Sequence, residues 1–100
     1  ETTGTQGHSV QLLRENDEAR LVLFQLENGH EVAPHSSPCR VYLYCVRGKG
    51  SFQIGEASHP AEAGTLAICP PGELHGITAS REMVVLAVIA PSPAARETDL

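Results

Sequence analysis

The stretch Gly64-Thr65-Leu66-Ala67-Ile68-Cys69-Pro70-Pro71-Gly72-Glu73-Leu74-His75 decides how this chain folds. Thr65 to Cys69 reads as a short strand. Pro70 and Pro71 have no N–H to give to a sheet, so pairing stops there and resumes over Leu74 to Ala79. A related punctuation lies upstream, where Gly29 and His35 are separated by five residues and Ser37, Val41 and Gly48 follow. Gly64 and Pro70 have the same five-residue separation, and His75 closes the second pattern.

Outward from these two stretches, short β-type segments alternate with turn residues, the pattern of a β-sandwich or barrel. Ser9 to Arg14 and Ala19 to Leu26 flank the polar turn Glu15-Asn16-Asp17-Glu18 and read as an opening hairpin. Glu31 to His35 follows the break at Glu27-Asn28-Gly29. Val41 to Arg47 is rich in β-branched and aromatic residues, and Gly48-Lys49-Gly50 is expected to turn it as a hairpin into Ser51 to Ile54. Gly55-Glu56 turns into Ala57 to Ala61, and Ser80-Arg81-Glu82 turns into the apolar strand Met83 to Ala90. This amounts to about ten short strands with no crossover helix, in which barrel closure removes exposed edges. The expected organisation is one domain over residues 1–100, with a core at about 9–91 and a polar tail at 92–100 that is frayed or forms a single helical turn.

The two spacings resemble the two motifs of the cupin superfamily, over Leu26 to about Pro91, and the likeness is to its small conserved-barrel type. The resemblance implies an all-β jelly-roll barrel with His35 and His75 on facing strands. In that family the first motif supplies two histidines and a glutamate, and the second supplies one histidine, which together hold a divalent metal. Here His35 and His75 occupy ligand positions, Ser37 stands at the second histidine position and Val41 at the glutamate position. The family includes dioxygenases, isomerases and sugar-modifying enzymes as well as non-catalytic binders, and it habitually pairs barrels.

Two imidazoles are too few for a metal centre, since catalytic zinc takes three protein ligands and the non-haem iron triad two histidines and a carboxylate. Ser37 is a poor donor and Val41 is none. Cys39, Cys69 and His59 are candidates to complete the shell or line a pocket, with Glu31 and Glu73 behind them; for the cysteines a core role competes. His30 has the wrong strand parity to join His35. Adjacent residues on a strand point to opposite faces, so His35 and Ser36 do not make a dyad, whereas Cys69 and His75 could approach one another. The expected cofactor is therefore none, or a weakly bound divalent transition metal. The expected function is binding of a small molecule inside the barrel; the alternative is a metal-dependent dioxygenase or isomerase that uses His35, His75 and a further ligand.

Composition excludes other classes. The formal charge is -5 with only seven Lys and Arg, scattered singly, which does not make a nucleic-acid-tracking face. The apolar run at Met83 to Ala90 is far shorter than the roughly 20 residues of a membrane-spanning helix, so no membrane partner is expected. Three cysteines without a Cys-x-x-Cys pair fit a reducing compartment, the cytoplasm. Only 4% of residues are aromatic, so Phe24, Tyr42, Tyr44 and Phe52 are expected to be the large pieces of the core. Val41 to Val46 and Met83 to Ala90 look apolar on both faces and need cover twice, which points to a homodimer.

Overall fold

A computed structural model describes residues 8–93. The order is β1 (His8–Glu15), β2 (Arg20–Leu26), β3 (Glu31–His35), β4 (Arg40–Arg47), β5 (Lys49–Ile54), β6 (Ala57–Glu62), β7 (Leu66–Cys69), β8 (His75–Ala79) and β9 (Met83–Ala90). There are nine strands among the described residues rather than about ten. They form two antiparallel sheets, one ordered β1-β2-β9-β4-β7 and the other β3-β8-β5-β6. This is the all-β jelly-roll arrangement, and its core lies between the two sheets.

Alternation along the strands builds that core. Within β4, Val41, Leu43 and Cys45 are buried, while Tyr44 and Val46 on the opposite parity are exposed. Phe52 from the second sheet and Leu26, Met83 and Val85 from the first are fully buried with Leu43. The expectation for the tyrosines is thus corrected. Phe52 is core and Phe24 packs against it, but Tyr42 and Tyr44 share the outer face, because Val41, Leu43 and Cys45 take the inner one. Both parities of β4 are apolar, so the pattern alone could not choose between them.

Gly48 is a corner and not a hairpin turn, since β4 and β5 belong to different sheets. Its φ of +95° is one that side-chain-bearing residues rarely adopt. The Ser37-to-Cys39 loop is held by two bonds: Gly72 N–H donates to the Ser37 carbonyl at 2.8 Å, and Cys39 N–H donates to the Ser37 hydroxyl at 3.0 Å. Thus the segment carrying the first motif is tied to the proline loop of the second. At the start of the expected tail, Ser92 is fully buried, its N–H donating to the Asp17 carbonyl at 3.3 Å, so this residue is docked against the β1–β2 turn and not frayed. Residues 94–100 of that tail lie outside the described residues.

Candidate functional site

β3 and β8 are neighbours in one sheet, so His35 and His75 do not sit on facing strands. They are cross-strand partners in register, with ring centroids 4.5 Å apart and planes tilted by 60°. What brings them together is a bulge. Val32 pairs with Ile77 and His35 pairs with His75, so Ala33 and Pro34 together oppose the single residue Gly76. On a regular strand, Val32 and His35 would point to opposite faces. The extra residue restores His35 to the inner face, and both line the same cavity.

Two residues permit the bulge. Pro34 has no N–H to leave unpaired. Gly76 has no Cβ, and one built there would lie 2.9 Å from the Val32 carbonyl oxygen, 3.1 Å from Pro34 N and 3.2 Å from Pro34 Cα. The backbone of β3 therefore rests directly on Gly76. Neither role was read from the sequence; the available signal was a glycine directly after the motif histidine, facing a strand that contains a proline.

The cavity has a volume of about 60 Å³. Its walls are Phe24, Val41, Leu43, Ala87 and Ile89 from the first sheet and Val32 and Ile77 from the second. Among the described residues its polar side chains are His35, Ser37 and His75. His35 is exposed at the rim, whereas His75 is buried, with 5% of its surface accessible. The arrangement is a narrow apolar recess with its polar groups at one end.

Hydrogen bonds fix the tautomer of both rings. Nδ1 of His35 lies 3.1 Å from the Ala33 carbonyl oxygen, and Nδ1 of His75 lies 3.3 Å from that of Glu73. A carbonyl oxygen only accepts, so each Nδ1 carries a proton, and in the neutral ring Nε2 is the atom that keeps the lone pair. Burial pushes the His75 pKa below its ordinary 6.5; the Glu73 carbonyl opposes this, and the charge of His35 adds to it. The neutral ring is thus the native form at pH 7.

This has a direct consequence for stability. An unfolded chain takes a proton at His75 more readily than the folded one, so folding is favoured above pH 6.5 and weakens as pH falls below it. Urea unfolding at about pH 7.5 and about pH 5.5 should show a loss at the lower pH, and His75→Leu should shrink that loss. An unchanged loss in the variant would place its origin elsewhere.

The other candidates are not brought to the pair. Cys69 is buried opposite Val41 on β7, Cys39 is buried in the loop before β4, and neither lines the cavity. Burial raises the Cys69 thiol pKa, which leaves it protonated and a poor nucleophile, and no hydrogen bond joins it to His75 among the described residues. His59 is exposed on the edge strand β6, opposite Phe52, and Glu31 and Glu73 are exposed. Among the described residues no group of three or more His, Cys, Asp or Glu is placed to hold a metal ion. The donor set of two imidazoles does not fit the metal implied by the motif resemblance.

Comparison with known proteins agrees with this architecture. A family model described as AraC-like ligand binding domain matches residues 20–100. An RmlC-like cupin protein from Desulfovibrio desulfuricans is 30% identical, with a TM-score of 0.82 over 87% of this chain and 85% of that one. An RmlC-like cupin from Shewanella frigidimarina has the same TM-score of 0.82 at 23% identity, over 95% of this chain and 83% of that one. Salicylate 1,2-dioxygenase from Pseudoaminobacter salicylatoxidans shares the fold at a TM-score of 0.87 and 14% identity, over 99% of this chain but 29% of the enzyme. No curated protein matches the sequence. With the family model spanning most of the chain and the barrel built as described, this protein belongs to the AraC-like ligand-binding domains of the cupin superfamily.

Proposed function

We propose that residues 1–100 form one barrel domain that binds a compact, mainly apolar small molecule at His35 and His75, without a resident metal. The observation that carries this reading is the lining: apolar walls, with Val41 at the carboxylate position of the motif, and polar side chains confined, among the described residues, to His35, Ser37 and His75. An apolar recess with a few convergent polar groups is the ordinary form of a small-molecule site. The family description as a ligand-binding domain supports it. The alternative of a metal-dependent dioxygenase or isomerase needs a third protein donor beside the histidines, which the described residues do not supply.

The test is a fragment screen read by methyl and amide NMR shifts. Compact apolar fragments should perturb Ile77, Ile89 and Leu43 together with the two histidines. Perturbation confined to the outer sheet face would overturn the proposal.

The same chain is proposed to work as a homodimer in a reducing compartment, the cytoplasm. All three thiols are free and buried. Tyr44 and Leu66 are cross-strand partners on the outer face of the five-stranded sheet, as are Tyr42 and Ile68, and Tyr44, Leu66 and Ile68 are all large and exposed. An apolar face of this kind supports association, for which a stable interface buries on the order of 1,000 Å² or more. Sedimentation at micromolar concentration should give a dimer, and Leu66→Lys with Ile68→Glu should give a monomer. A monomeric parent would count against the pairing.

A further inference from the structure

Both histidines spend Nδ1–H on a backbone carbonyl two residues behind them, at Ala33 and at Glu73. Among the described residues neither Nε2 has a hydrogen-bond partner, and that of His75 belongs to a side chain more than nine-tenths buried. A buried polar atom without a partner is costly, so the recess is built to be completed by something that donates. We infer that the natural ligand is a small apolar molecule whose one polar group is a neutral hydrogen-bond donor, a hydroxyl or an amide N–H, received by the Nε2 lone pair of the buried His75, with His35 beside it at the rim. The inference rests on the reading of this cavity as a small-molecule site.

The same geometry sorts the alternatives. A carboxylate brings only acceptor oxygens and would face the His75 lone pair, with no Lys or Arg among the described lining residues to offset its charge. A sugar brings several hydroxyls and would press most of them against Val32, Val41, Leu43 and Ile77, where nothing pairs with them. Size narrows the class further. The volume of about 60 Å³ is well below the roughly 150 Å³ of a cavity that encloses benzene, so a short or branched aliphatic end seats inside and bulkier parts project past His35 at the rim.

Three probes with one carbon body separate these chemistries: isoamyl alcohol, its methyl ether and isovalerate, each titrated into the nitrogen-labelled 100-residue chain. The alcohol should bind roughly tenfold tighter than the ether, as a hydrogen bond to an otherwise unpaired buried acceptor is lost in the latter. Isovalerate should bind weakest. Alcohol binding should move the His75 Nε2 resonance, and His75→Leu, which removes that acceptor, should bring the alcohol close to the ether. Ether and alcohol of equal affinity, or isovalerate tightest, would overturn the donor assignment while leaving the cavity as a binding site. Absence of any shift at the cavity residues with all three would overturn the cavity reading itself, and this inference with it.

Discussion

Gly48→Ala is expected to lower the stability of the barrel by about 2–5 kcal/mol, enough to leave a domain of this size partly unfolded at room temperature. Two costs combine at that corner. The φ of +95° disfavours any residue with a Cβ, and the new methyl would fall on the Glu82 carbonyl oxygen and within 2.6 Å of Met83 Cα. Those are backbone atoms of the turn into β9 and cannot swing aside. Gly64→Ala separates the two costs, since Gly64 has nearly the same φ, +94°, and nothing within 4 Å of an added Cβ. It should lose only the conformational part, about 1–2 kcal/mol. Urea or thermal denaturation of both variants measures the difference. Equal losses would mean that the approach of the β8–β9 turn to Gly48 does not constrain the corner.

A gain of metal affinity is the second large effect. Ser37 and Val41 line the cavity beside both histidines, so Ser37→His with Val41→Glu would set three imidazoles and one carboxylate around one space. Without metal, the double variant should be less stable than the parent, because Val41 is only 3% exposed and a carboxylate there is buried unpaired. With zinc or nickel in large excess over Kd, binding to the native state alone should raise stability by about 4 kcal/mol at 1,000 Kd and Tm by more than about 10 °C. The parent should gain little under the same conditions. A parent that responds as strongly as the variant would place the missing donors outside the described residues.

Much of this was legible before any coordinates. The proline loop after Cys69 and the glycines near both histidines marked where strands end, and turn chemistry carries that information locally. The motif spacing also brought His35 and His75 to one place. What the sequence did not disclose depends on partners across the sheet. The bulge at Ala33-Pro34 exists because Gly76 on another strand admits it, and without it the strand parity of His35 would be reversed. Similarly, Gly48 looked like a hairpin residue because a tight turn and a sheet-switching corner both favour positive φ. The outward tyrosines were hidden by a strand whose two faces are equally apolar. Cys39 and Cys69 are buried as free thiols usually are, and burial alone did not say on which side of Val41 they would fall.

The central claim is that the recess lined by His35 and His75 holds an organic ligand where the motif resemblance implies a metal. Elemental analysis tests it most directly, on untagged protein equilibrated with manganese, iron(II), nickel and zinc and then gel-filtered without chelator. Well under about one-tenth of an equivalent of any metal per chain is expected, unchanged in His75→Leu, as two imidazoles without a third donor do not retain an ion through that step. A stoichiometric metal that is lost in His75→Leu would contradict the claim.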